Sequence, residues 1–168
     1  GDIELTSGVY ISSALTMNSN TNLFGAGTIK LKDGSNTSLI EVSPSQTNIN
    51  IRDITLDGNY TNNVSGSDAT ATININSGCS DIYLFRMKVL DYDQNGIQFN
   101  QNCSNFSIIE CEVRHSAQRR GIELARGTGC GPEILVRDCI VGDNLFGNIT
   151  ATSTITGASI IDNYCYGT

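Results

Sequence analysis

Ile97-Gln98-Phe99-Asn100-Gln101-Asn102-Cys103-Ser104-Asn105-Phe106-Ser107-Ile108-Ile109-Glu110-Cys111-Glu112-Val113 is the stretch whose reading decides the fold. It joins two short patterns. The first is Ile-x-apolar, here Ile97-Gln98-Phe99. It returns as Ile40-Glu41-Val42, Ile73-Asn74-Ile75, Ile122-Glu123-Leu124 and, more weakly, Ile149-Thr150-Ala151. The second is apolar-x-x-small-x-apolar, here Ile108, Cys111 and Val113. It returns at Ile51/Ile54/Leu56, Leu84/Met87/Val89, Val136/Cys139/Val141 and Ile160/Asn163/Cys165. The two anchors stand 11 residues apart in every copy except 122 to 136, which carries three more. A repeat of 24 to 33 residues, built from two short strands, marks a solenoid whose coils bury a common core that none could bury alone. Irregular forerunners, Val9-Tyr10-Ile11, Leu15-Thr16-Met17, Leu23-Phe24-Gly25 and Ile29-Lys30-Leu31, extend it to the N-terminal region.

The composition agrees. The chain has 168 residues, the length of one domain, spanning 1–168. Asn, Ser, Thr and Gly are abundant, and no window sustains the apolar spacing of an amphipathic helix. No apolar run approaches the roughly 18 residues of a membrane span. The formal charge of −7 argues against nucleic acid, which requires a basic stripe.

The six cysteines fit no zinc spacing, and no metal or cofactor site is read from the chain. They follow the repeat instead. Cys79 and Cys103 each lie six residues after a first anchor, and Cys111 and Cys139 three after a second. Coils stack about 4.8 Å apart. Each pair is therefore either a ladder of small apolar thiols or a disulfide, whose Cα spacing of about 4.4–6.8 Å includes that rise. Asn-x-Ser/Thr acceptors occur at Asn36, Asn59, Asn63, Asn102, Asn105 and Asn148. They fit an extracellular or cell- or virion-surface protein.

The stretch from about Gly8 to Asn144 resembles the catalytic module of bacterial mannuronan epimerases, within the pectate-lyase-like superfamily. The matching strings are Gly8-Val9-Tyr10, Leu23-Phe24-Gly25-Ala26-Gly27-Thr28-Ile29-Lys30-Leu31, Ile51-Arg52-Asp53-Ile54-Thr55-Leu56-Asp57-Gly58-Asn59, Asn95-Gly96-Ile97 and Arg120-Gly121-Ile122. The resemblance implies an all-β, single-stranded right-handed parallel β-helix of about six coils. It also implies ancestry among proteins that handle acidic polysaccharides. The family's Tyr-Gly-Phe-Asp-Pro-His-Glu string does not carry over. Gln98 stands in place of its Asp and Asn100 in place of its His, and neither amide is a general base. The acid one coil later is replaced by Ala125.

The family's N-terminal capping helix has no counterpart, so the ends read as uncapped. They belong either to a segment of a longer protein or to a subunit of a homo-oligomer stacked coil on coil. Two insertions, 57–70 and 126–133, break the period, and such loops often shape a solenoid's binding face.

Candidate site residues come from columns of stacked positions. One outward row reads Glu41, Asn74, Gln98, Glu123, Thr150, and a second reads Ser43, Asn76, Asn100, Ala125. Asn74, Asn76, Gln98, Asn100 and Glu123 suit sugar hydroxyls, and equally a ladder of amide hydrogen bonds. The only histidine, His115, falls in a column between Asp91 and Asp143. Arg119 and Arg120 precede Glu123 and would neutralise a uronate carboxylate. Arg86 beside Glu110 and Lys88 beside Glu112 read as surface ion pairs. Two functions follow. One is a structural, adhesive or glycan-binding module without catalysis, and the other is an epimerase or lyase using His115, Glu123, Arg119 and Arg120. The second requires Glu123 and His115 to reach one sugar.

Overall fold

The computed structural model describes residues 1–64, 66 and 70–167. Each coil contributes three strands. The first holds β1 (Asp2–Leu5), β2 (Val9–Ser12) and β3 (Leu15–Met17), and the second β4 (Thr21–Gly25), β5 (Thr28–Leu31) and β6 (Ile40–Val42). The third holds β7 (Thr47–Arg52), β8 (Thr55–Asp57) and β9 (Ala71–Ile75). The fourth holds β10 (Ser80–Phe85), β11 (Lys88–Tyr92) and β12 (Asn95–Asn100), and the fifth β13 (Ser104–Ile109), β14 (Glu112–Ser116) and β15 (Arg120–Arg126). The sixth holds β16 (Ile134–Arg137), β17 (Ile140–Asn144) and β18 (Gly147–Ala151), with β19 (Ala158–Ile161) and β20 (Tyr164–Tyr166) following. All pairings between successive coils are parallel. They make two seven-stranded sheets and a third of six strands, β3, β6, β9, β12, β15 and β18. Among the described residues the sole helix is one 3-10 turn, Tyr60–Asn62. The chain is thus the all-β parallel solenoid of about six turns that the repeat predicts.

Three strands per coil, rather than two, is the first difference from the sequence reading. The second pattern is two strands meeting at a corner. Ile51 lies in β7 and Leu56 in β8, and Asp53 between them takes a left-handed conformation (φ 61°). Arg86, Glu110, Asp138 and Asp162 repeat it on later coils. Asp accepts this region better than most residues because its short polar side chain bonds locally. The left-handed residue interrupts the two-residue alternation of the strand. That is why positions 51, 54 and 56 all face inward.

The interior is one continuous cluster of aliphatic side chains stacked like on like, with the Phe99 and Phe106 rings parallel and 3.8 Å apart. Each fully buried Ile, Leu or Phe contributes about 1.5–3 kcal/mol. Cysteines join this interior as two columns of free thiols. Cys111 and Cys139 form one. Cys79 and Cys103 begin the other, and Cys130 continues it. Cys130 stands eight residues after its anchor rather than six, so counting alone passed over it. Outside, Lys88 Nζ lies 3.3 Å from Glu112 as expected, but Arg86 turns to Asp53 at 2.7 Å instead of Glu110. Asp53 also takes Arg52 at 3.0 Å.

The acceptor asparagines divide sharply. Asn36 and Asn102 are exposed. Asn59 and Asn63 are buried, and their side-chain nitrogens donate, Asn59 to the Leu31 carbonyl (2.8 Å) and Asp33 (2.7 Å), Asn63 to the Asn59 carbonyl (3.2 Å). Asn105 donates to Asp81, and Asn148 to the Tyr166 carbonyl. A glycan on any of these four would have to break a hydrogen bond of the fold.

Candidate polar site on the third sheet

The first outward row has the predicted register: Glu41, Asn74, Gln98, Glu123 and Thr150 stand one above another. Although they face away from the core, Asn74, Gln98 and Glu123 are almost completely buried. Their burial is tolerable because each of their side-chain polar atoms finds a partner in the row or beside it. Glu41 Oε1 accepts from Asn74 (2.8 Å) and Asn76 (2.7 Å). Asn74 Oδ1 accepts from Gln98 (3.1 Å) and Asn100 (2.9 Å). Gln98 Oε1 accepts from Asn95 (2.6 Å), and Asn95 also donates to Glu123 Oε2 (2.7 Å). Glu123 Oε1 accepts from Arg120 (3.1 Å) and Thr152 (3.1 Å).

The second row is corrected by the structure. Between β12 and β15 the register slips at a bulge, and Asn100 pairs with Arg126 rather than Ala125. Ala125 is left-handed (φ 58°) and fully buried in the core. The three extra residues of this coil are the signal that the register had to break here. A bulge inserts one residue and re-aims the next side chain. Here it carries the half-buried Arg126 onto the outward face, its Nη1 3.5 Å from Gln98 Oε1. The rim of the row is therefore Glu41, Asn76, Asn100, Arg120 and Arg126, all half-buried. Sequence reasoning missed Asn95, Arg126 and Thr152. Asn95 lies outside the alternating register, and Thr152 follows the last weak anchor.

His115 lies elsewhere. It lies in β14 in the second sheet, with Nδ1 3.0 Å from Asp91 and Nε2 3.7 Å from Asp143, the partners its column predicts. Its surroundings form an open depression of about 300 Å³ lined also by Tyr60, Ser116 and Ala117. Tyr60 is supplied by the first insertion, of which residues 65 and 67–69 lie outside the described ones. Glu123 does not line this depression, and its hydrogen bonds go to Asn95, Arg120 and Thr152. Arg120 reaches Glu123, whereas the Arg119 amide caps back to Ser116 Oγ at 2.7 Å. Among the described residues no group of three or more His, Cys, Asp or Glu is arranged to hold a metal ion.

Two solved structures share this architecture. A protein from Parabacteroides merdae, provisionally described as a glycosyl hydrolase, superposes with a TM-score of 0.67 at 16% identity, covering 99% of this chain and 82% of that one. The A-module of the mannuronan C-5 epimerase AlgE6 from Azotobacter vinelandii superposes with a TM-score of 0.61 at 19% identity, covering 99% of this chain. This chain spans about half, 54%, of that module. At such identities the likeness is one of fold. No family model and no curated protein matches the chain.

Proposed function

We propose that this chain is a non-catalytic β-helix module, acting outside the cell or on a cell or virion surface, that holds acidic polysaccharide along the outward face of its third sheet. The observation that carries this reading is Arg126, set by the bulge beside Asn100 and followed along the rim by Arg120. Guanidinium forks match carboxylates in geometry and charge, and the neighbouring amides serve hydroxyls. The fold shared with a mannuronan epimerase directs the choice of a uronate polymer. Catalysis is disfavoured by the state of the acid-base candidates. Glu123 has both oxygens engaged, amides occupy the two positions the resemblance assigns to chemistry, and His115 sits on another sheet. Affinity electrophoresis in gels containing polymannuronate, polygalacturonate or a neutral glucan tests this, with proton NMR of the same polymers after incubation. Retardation by the uronates alone, with unchanged polymer spectra, is expected. Epimerised or unsaturated product would establish the enzymatic reading, and equal mobility in all gels would remove the binding one.

A second reading, end-to-end assembly of copies, is favoured by the terminal coils. Ile3, Val9 and Ile11 on β1 and β2, and Ile160, Ile161 and Tyr164 on β19 and β20, are exposed on strands with one unpaired edge. Sedimentation velocity over a concentration series tests it. A monomer at the highest concentration counts against assembly.

A further inference from the structure

The three-membered cysteine column has a property that the two-membered one lacks. Ser80 and Ser104 are paired, so Cys79 and Cys103 are neighbours on adjacent coils, and Cys103 bonds through its carbonyl to Gly131 beside Cys130. The three thiols are oriented alike. Each donates to a carbonyl of the preceding coil, Cys79 to Ser43 (3.2 Å), Cys103 to Asn76 (3.3 Å) and Cys130 to Asn100 (3.0 Å). Cys103 thus has a cysteine on the coil to either side, whereas Cys111 has one such neighbour, Cys139, among the described residues.

We propose that Cys103 is the shared member of two mutually exclusive disulfides, one with Cys79 on the coil before it and one with Cys130 on the coil after it, and that the bond moves between them. The coil rise of about 4.8 Å lies within the Cα range a disulfide accepts. Cys79 and Cys130 are about 10 Å apart, beyond the limit of about 7 Å, so they do not bond to each other. Formation needs an oxidant, a low-molecular-weight disulfide such as oxidised glutathione. Two protein thiols and one such disulfide become one protein disulfide and two small thiols. Migration needs none. The Cys79 thiolate attacks the Cys103 sulfur, a new S–S bond forms, and Cys130 leaves as a thiolate that takes up the proton. The column places attacking and leaving sulfurs on opposite sides of Cys103. All three are buried, so oxidation accompanies folding.

The test is to refold the full chain in a glutathione redox buffer and map linkages by mass spectrometry without reduction. Both Cys79–Cys103 and Cys103–Cys130 should be found, each leaving its third thiol free, alongside a single Cys111–Cys139 linkage. Separated in acid and returned to neutral pH without added thiol, each isomer should regenerate the other. Cys130→Ala should direct Cys103 wholly to Cys79, Cys79→Ala should do the reverse, and Cys103→Ser should leave both outer thiols free while Cys111–Cys139 persists. Circular dichroism confirms that each variant is folded. Cys103 recovered as a free thiol, bonded outside its column, or locked in one isomer that does not exchange would overturn the proposal.

Discussion

Asn100 faces Arg126 across β12 and β15, one residue past the position an unbroken register would give to Ala125. That slip decides the charge of the outward face. Arg126→Gln should weaken retention by polymannuronate about tenfold, the size expected when a hydrogen bond to a charged group is lost. Deleting Ala125 should leave retention nearly unchanged, because closing the bulge keeps Arg126 opposite Asn100. Undiminished retention in Arg126→Gln would place binding elsewhere.

Glu123 anchors the polar row. Replacing it by Ala leaves Arg120, Asn95 and Thr152 without their acceptor in a nearly dry setting. The loss should be about 3 kcal/mol, the low end for a broken buried pair, because Arg120 keeps 21% of its side-chain exposure. Glu123→Gln keeps an acceptor oxygen and should cost less. Urea midpoints of the two variants check the order.

Glycine at 96 and 121 is required by closeness. A Cβ on Gly96 would stand 2.7 Å from the Gly121 carbonyl oxygen and 2.6 Å from Val113 Cγ1. On Gly121 it would stand 2.7 Å from the Asn148 carbonyl oxygen. Both contacts involve backbone of the next coil, which cannot yield without disturbing the stack. Gly96→Ala and Gly121→Ala should each cost roughly 1–3 kcal/mol in chemical denaturation.

The Asp53 carboxyl is held below its ordinary value, first by the hydrogen bond from Arg86 and then by Arg52, against the opposing effect of burial. A depressed folded-state value gives stability that is complete above the unfolded value, about 3.9, and is lost as pH falls through the folded one. Asp53→Asn should therefore flatten the decline of stability below about pH 4. Thermal melts of both proteins from pH 6 to below that value would show it.

Expression through a eukaryotic secretory pathway should attach glycans at Asn36 and Asn102 and spare Asn59 and Asn63, whose buried nitrogens are committed. Glycopeptide mapping after endoglycosidase treatment reads the sites directly. A glycan on Asn59 in folded protein would contradict the packing of the first insertion.

Much of the fold is legible because stacking repeats like over like. Ile40, Ile73, Ile97, Ile122 and Ile149 mark one column without any knowledge of angles. The corner at Asp53 is less so, since a left-handed residue leaves no pattern except a short polar side chain, and Arg86 and His115 occupy such places too. The site is legible only in part. Glu41, Asn74, Gln98 and Glu123 follow from alternation, whereas Arg126 depends on where a coil three residues too long chooses to bulge, which packing around Ala125 decides. Cys130 was hidden by the same displacement.

The row from Glu41 through Asn74, Gln98 and Glu123 to Thr152 ties together five successive coils by side chains alone. These bonds point along the solenoid axis, parallel to those of the backbone ladders. A pull along that axis thus loads a keel of side-chain amides together with the three sheets. Wherever this row is intact, peeling one coil from the next has to rupture four lines at once rather than three.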